Sequence, residues 1–420
     1  MPVYSRKNIA DGIGYTTIID PKFKTNKIQV MFITELKKET ASHNAMAVGI
    51  IGTSNSRYKN LSLLTDKLNE LYGASINVDI SKQADEQILS ISISSIHNRY
   101  ALESEDISNS VLEILMDCIF SPNASNGKFS EEPFNFRKKD HLDSIDAEIN
   151  NKRNYAVIQT HKEAYKGENS ENSAYGTKED TEAVTPESAF EAYQKILKTA
   201  QTEIFFVGPE KDDIIEKIIT EKFSKLERMP ENLNFISPSP LKKEVSRVEE
   251  HLDVKQCKMV LALKSSCQDE YIMKFVNTVL GATAVSKLFI NVREKKSLCY
   301  YCASAYNFWK QTMFIDCGIE EANIEETEKE ILNQINEMKC GNITDEEMNH
   351  ALLSIKNSLN GVGDTSFSYI SWYFNGFIKN NVIDTETAIN KYASITKQDL
   401  IEAAKTLELD TVYVMKGEKA

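Results

Sequence analysis

VTPESAFEAYQKILKTA, residues 184–200, followed by the apolar run IFFVGP at 204–209, decides the fold, because the chain contains this pair of elements twice. Thr185 stands where an N-cap belongs and Pro186 at the first helical position, so a capped helix leading into a short strand is expected. Two hundred residues on, SITKQDLIEAAKTL (394–407) and TVYVMKG (411–417) repeat the capped helix and the strand.

Working outward, the first half offers strands at 14–19 and 27–34 and helices at 41–51 and 61–72. Two alternating strands follow in SINVDIS and ILSISISSI, then helices at 108–119 and along 134–165. The second half runs through the same sequence: KMVLALK as a strand, YIMKFVNTVLGA and VSKLFINVREK as helices, SLCYYCASAY and TMFIDCGI as strands. Gly52 matches Gly281 at an offset of 229, and Thr185 matches Thr396 at 211, as expected of one α+β unit duplicated and then diverged by insertions. Three of the nine prolines (230, 238, 240) crowd into MPENLNFISPSPLKKEVSRVEE, which reads as an extended linker. The expected division is therefore a domain over 1–228, a linker over 229–246 and a second domain over 247–420. The segment GENSENSAYGTKEDTEA, 167–183, reads as a polar surface loop.

Composition narrows the function. With 420 residues, 41% hydrophobic and 26% charged, the chain can bury more than one core. Its 49 basic against 62 acidic residues leave a net charge of −13, which repels phosphate backbones and anionic membranes; neither nucleic acid nor membrane is an expected partner. The amino terminus carries no signal-peptide pattern, so a cytosolic protein is expected. Seven cysteines, an odd number, point to free thiols. Cys299 and Cys302 share a strand-like run where positions three apart face opposite ways, so buried structural thiols are expected there rather than a metal pair.

LFINVREKKSLCYY (288–301), YGASINVDIS (72–81) and AYGTKEDTEAVTPES (174–188) resemble segments of the M16 metallopeptidases, the family of insulin-degrading enzyme, the mitochondrial processing peptidase and pitrilysin. The resemblance covers nearly the whole chain. It implies two homologous M16-type α/β domains, each a mostly antiparallel sheet packed with helices and joined by the Pro-rich linker. It also implies substrate-binding roles for Arg293, Tyr300 and Asn77.

Active members carry an inverted zinc motif, His-x-x-Glu-His, just before a Gly-Thr pair. Aligned on Gly52 and Thr53, this chain reads His43, Asn44, Ala45, Met46, Ala47: the first histidine stands, but the base falls on Met46 and the second ligand on Ala47. Zinc hydrolysis needs about three protein ligands and a carboxylate to take the proton of the metal-bound water, and a thioether cannot serve as that base. The six histidines, at 43, 97, 141, 161, 251 and 350, never come within a helical turn of one another. The family's distal glutamate ligand would fall on Glu148, within a helix whose His141, Asp143, Asp146 and Glu148 read as a solvated polar face with Leu142 and Ile145 inward. His43 reads as a helix-end or buried, hydrogen-bonded histidine, and no cofactor is expected.

An inactive chain with LNELYGAS and REKKSLCYY most resembles the bacterial YfmF-type subgroup, linked to elongation factor P modification and usually accompanied by a zinc-bearing M16 homologue. The resemblance thus implies a non-catalytic partner of an active homologue, the two gripping an extended peptide, or a homodimeric peptide-binding scaffold. Alternating strands suit an edge-pairing peptide. Arg293 could equally be a surface ion pair with Glu294, and Tyr300 could be a core residue. The aromatic run YISWYFNGFI at 369–378 suggests domain or subunit packing, or packing within its own domain. An enzyme using the Cys299–Cys302 pair, or His43 with a distant carboxylate, ranks last.

Overall fold

Alternating apolar residues build two sheets in the structure, a computed structural model that describes residues 2–417. In chain order the elements are β1 (Val3–Ala10), β2 (Ile13–Ile19), β3 (Thr25–Glu35), α1 (Lys38–Ile51), α2 (Leu61–Glu70), β4 (Ser75–Gln83), β5 (Glu86–Ile96), α3 (Ile107–Phe120), β6 (Ala124–Ser125), β7 (Lys128–Phe129) and α4 (Glu131–Ala147). Then come α5 (Lys152–Ala164), α6 (Lys178–Ala183), α7 (Pro186–Thr199), β8 (Gln201–Gly208), α8 (Asp213–Phe223), β9 (Ser246–Leu252), β10 (Cys257–Lys264) and α9 (Glu270–Leu280). A π-helical segment, Leu288–Lys295, precedes β11 (Cys299–Asn307), β12 (Thr312–Ile319), α10 (Ile324–Lys339), α11 (Asp345–Asn360), α12 (Ser366–Ile378), α13 (Thr385–Ser394), α14 (Lys397–Lys405) and β13 (Glu408–Gly417).

The chain divides into two units. The first holds residues up to Ala147, Asn172–Asn234 and Ser366–Ser371; the second holds Glu148–Glu171, Phe235–Thr365 and the residues from Trp372 onward. The division is therefore interleaved, unlike the single crossing in a linker expected from composition.

In the first unit the strand order is β1-β2-β8-β3-β5-β4, antiparallel except for β2 beside β8. Ile28, Val30 and Phe32 of β3, Leu89, Ile91 and Ile93 of β5, and Ile204 and Phe206 of β8 share one face at period two. That face forms a core with α1, α3, α7 and α8. The second unit orders its strands β11-β12-β10-β13-β9, antiparallel except for β9 beside β13.

Matched from the edge inward, β9-β13-β10-β12-β11 reproduces β2-β8-β3-β5-β4 strand for strand, parallel pair included. The duplication inferred from two capped helices is thus a duplication of topology. Both capping boxes form, Thr185 with Ser188 and Thr396 with Asp399. The paired glycines share a task as well. A Cβ on Gly52, at the end of α1, would lie 2.3 Å from Cγ2 of Val78 on β4, and one on Gly281, at the end of α9, 2.6 Å from Oγ of Ser304 on β11. Each helix end lies against its unit's edge strand too closely for any side chain. Gly52→Ala and Gly281→Ala are each expected to cost about 1–3 kcal/mol by overpacking, read by urea unfolding of the full chain.

Three expectations need correction. The helix expected along 134–165 is broken: α4 stops at Ala147 and Asn151 caps a new helix, accepting from the amide of Asn154. α5 then lies on the second face of the second unit's sheet, where Ala156, Ala164 and Tyr165 pack on Val260, Ala262, Phe314, Tyr413 and Met415. The Pro-rich stretch is not a free spacer. Met229 and Glu231 donate to the carbonyls of Lys198 and Thr199 in the first unit, and Ser237 and Ser239 to those of Trp309 and Lys310 in the second. Nor is 167–183 simply a surface loop: Ser170, Ala174 and Thr181 are buried and 178–183 is helical.

Candidate functional site

α1 carries the degenerate motif. Apart from His43, which is half-buried, every residue from Ala41 to Ile51 is buried. Met46 and Ala47, where a base and a second ligand would stand, are both 0% exposed and belong to the hydrophobic core of the first unit. Polar contacts on this helix serve packing: Asn44 donates to Gln87 Oε1 at 3.0 Å, and Gln87 Nε2 donates to the carbonyls of Ala41 at 3.0 Å and Ala174 at 2.6 Å. Thr181 Oγ1 reaches Ser42 Oγ at 3.3 Å. Among the described residues no three His, Cys, Asp or Glu side chains are grouped to hold a metal ion. The residues present do not fit the zinc that the family resemblance calls for, and no step of a zinc mechanism can be written through them.

The helix expected to be a solvated polar face is instead docked by its histidine. His141 is 1% exposed, its Nε2 is 2.9 Å from the carbonyl of Tyr175, and its ring lies 5.6 Å from the Tyr175 ring. Phe134, His141 and Ile145 share the inward stripe at helical spacing, while Asp143 and Asp146 stay exposed as expected. Burial pushes the His141 pKa down from its ordinary value. The folded chain therefore binds this proton less readily than the unfolded chain, and stability is lost as pH falls through about 6.5. His141→Gln is expected to remove part of the stability slope between about pH 5 and 7, measured by urea midpoints across that range. Glu148, the expected match to a distal ligand, opens a 3-10 turn in the second unit and is half-buried.

Arg293 and Tyr300 are brought together. Arg293, on the π-helical segment, donates through Nε to the carbonyl of Tyr300 at 2.8 Å and through Nη1 to Glu294 Oε1 at 2.6 Å, with its guanidinium 4.7 Å from the Phe289 ring. Tyr300 is 57% exposed, not core, and its hydroxyl donates to Glu320 Oε1 at 2.5 Å. That carboxylate holds the phenol's pKa above its ordinary value.

A β-bulge explains the exposure. Cys299 lies opposite Ile319 but Tyr301 opposite Gly318, so Tyr300 is the extra residue and is turned outward. The bulge also corrects the reading of the cysteine pair: it restores Cys299 to the face that carries Cys302, and both thiols lie in the second unit's core. Tyr301 sits half-buried beneath the guanidinium of Arg153, 4.3 Å from its ring. Asn77 is an exposed residue of β4, the edge strand of the first unit, opposite Ser92 of β5. No pattern of residue types marks a bulge in advance; the doubled tyrosine in SLCYYCASAY is its only trace.

Comparison with known proteins places these features in context. The family described as "Peptidase M16 inactive domain" matches residues 183–354. A curated relative, "Probable inactive metalloprotease YmfF" of Bacillus subtilis (strain 168), is 26% identical over 403 residues, covering 94% of each chain. A crystal structure of a conserved protein from Enterococcus faecalis V583 superimposes with a TM-score of 0.91 at 25% identity, covering 99% of each chain. A peptidase M16 inactive domain from Pseudomonas fluorescens shares the fold, with a TM-score of 0.79 at 17% identity over 99% of this chain and 98% of that one. No helix among the described residues is long and apolar enough to cross a membrane.

Proposed function

Because the chain is a member of the M16 peptidase family, of its inactive, YmfF-like kind, we propose that it serves as the non-catalytic half of a pair, joined to an M16 homologue that carries His-x-x-Glu-His. One observation carries this reading. Met46 and Ala47 are sealed in the core, while a half-buried Arg293 holds the carbonyl of Tyr300, which stands exposed on an edge strand. Hydrolysis has been given up and the equipment for holding a chain has been kept.

The proposed ligand is an extended peptide. β4 and β11 are the matching edge strands of the two sheets, and a peptide strand added at such an edge gains main-chain hydrogen bonds. The Arg293 guanidinium suits a peptide carbonyl or carboxylate, and Tyr300 a developing oxyanion presented by the partner's chemistry. Asn77 supplies a side-chain amide on β4. The setting we favour is cytoplasmic peptide or protein processing, or the modification of elongation factor P.

Affinity purification of the tagged full chain from its native cells, with mass spectrometry of what co-elutes, tests the pairing. A stoichiometric His-x-x-Glu-His protein whose peptidase activity rises when the two chains are mixed supports it. Arg293→Ala should then raise KM for a peptide about tenfold or more, in line with the loss of a charged hydrogen bond worth about 1.5–3 kcal/mol, and leave the partner's zinc content unchanged. A homodimer that binds peptide and ignores every such homologue would overturn the pairing in favour of a stand-alone scaffold.

A further inference from the structure

Three cysteines of the second unit meet on one face of its sheet. Cys302 on β11 and Cys317 on β12 are direct cross-strand partners, and the bulge brings Cys299 to the same side. Residues directly opposite on antiparallel strands lie about 4.5–5.5 Å apart at Cα, inside the range of about 4.4–6.8 Å that a disulfide spans. Cys302 neighbours both other thiols, and all three are reduced in this structure.

Access is graded along the row. Cys317 is 0% exposed, Cys302 4% and Cys299 8%. Cys299 opens an edge strand, separated by the buried Leu298 from the exposed residues Glu294–Ser297, where Ser297 holds a positive φ of 52°. The hydrogen bond from Cys302, aided by the Arg293 guanidinium and opposed by burial, lowers the Cys299 pKa, while hydrogen bonds with Cys299 and Cys317 and burial raise that of Cys302.

We propose that Cys299, Cys302 and Cys317 form an oxidation site in which a hydroperoxide enters at Cys299 and the product is a Cys302–Cys317 disulfide that staples edge strand β11 to β12. The Cys299 thiolate attacks the peroxide O–O bond, giving a sulfenic acid and releasing the other oxygen as an alcohol or water. The Cys302 thiol displaces water from that sulfenic acid and forms a Cys299–Cys302 disulfide as the end of the edge strand shifts. Cys317 then attacks the Cys302 sulfur, and Cys299 leaves as the thiolate and takes up the proton. The sum is two thiols and one hydroperoxide converted to one disulfide, one water and one alcohol, or two waters when the oxidant is hydrogen peroxide. The strand that presents Tyr300 is thereby fixed, whether or not the chain has a partner.

The test exposes the reduced full chain to hydrogen peroxide, blocks remaining thiols with N-ethylmaleimide and maps tryptic peptides without reduction. The expected product joins segment 297–310 to segment 311–329 through Cys302 and Cys317, and Cys299→Ser should slow its appearance about tenfold or more. Cys302→Ser should abolish it; Cys299→Ser, altering only the strand margin, keeps the test intact if Cys302→Ser fails to fold. Oxidation confined to Cys267 and Cys340, an end product linking Cys299 to Cys302, or an unchanged rate in Cys299→Ser would each overturn the proposal.

Discussion

Rebuilding the letters of the zinc motif, with Met46→Glu and Ala47→His together, is expected to unfold the chain rather than activate it. Both positions are 0% exposed inside the first unit's core. A glutamate at 46 would be a carboxylate without a partner in an apolar cluster, a penalty of several kcal/mol unless it is protonated. An imidazole at 47 must be fitted where a methyl group now packs, which costs about 1–3 kcal/mol in overpacking before its polar nitrogens are counted. The sum, more than about 5 kcal/mol, rivals the whole stability of many domains.

The loss should also carry a pH signature. Burial raises the pKa of the new carboxyl, so the protonated form is tolerated at low pH and stability declines as pH rises through about 4.3 and above. Urea unfolding of the single and double variants at several pH values provides the measurement. A double variant with native stability and bound zinc would mean that α1 has room that the packing denies.

The second large effect concerns a buried ion pair in the second unit. Lys310 is 0% exposed; its Nζ lies 2.6 Å from Glu168 Oε2 and donates to Ser237 Oγ at 3.3 Å. Glu168 also accepts from Ser239, whose hydroxyl in turn accepts from Lys264. Lys264 is buried with no carboxylate in contact, and desolvation pushes its pKa down to about 8. These few residues fasten two segments, 163–168 and 237–239, to the sheet and the β11–β12 turn.

Glu168→Gln keeps the shape and removes the carboxylate that Lys310 Nζ contacts, and breaking a buried ion pair from one side is expected to cost about 3–5 kcal/mol. Lys310→Met leaves instead a carboxylate whose side chain is 20% exposed and can be hydrated, so its loss should be smaller. The double variant should recover much of the difference, and urea unfolding of all four chains closes the cycle. Equal losses from the two single changes would show that the hydrogen bonds, not the buried charge, hold the segments.

Much of this was legible in residue types, and the parts that were not share a cause. Thr185 and Thr396 announce their helices through local capping chemistry that needs no tertiary context, and both boxes form. The strands β3 and β10 are largely apolar runs with central places in their sheets. By contrast β9, SRVEEHL, alternates between exposed and half-buried positions at a sheet edge, so its composition matches a linker's. His141 reads as polar until the carbonyl of Tyr175, 34 residues away, meets it. The bulge at Tyr300 depends on the register of a second strand. What the sequence could not disclose in each case was a contact with distant residues. At the site, the loss of the base and second ligand at Met46 and Ala47 was visible from the letters alone, whereas the pairing of Arg293 with the Tyr300 carbonyl needed the fold.

In this chain packing residues, Met46 and Ala47, stand where zinc chemistry needs a base and a second ligand. Elemental analysis of the purified, tag-free full chain, run beside a broad fluorogenic-peptide assay and repeated with His43→Ala, tests this replacement most directly. Far less than one zinc per chain, no turnover, and no change on substitution of His43 are the expected results. One zinc per chain that disappears with His43, accompanied by peptide cleavage, would contradict the replacement, because the ligands would then be assembled from positions that the folded core keeps apart.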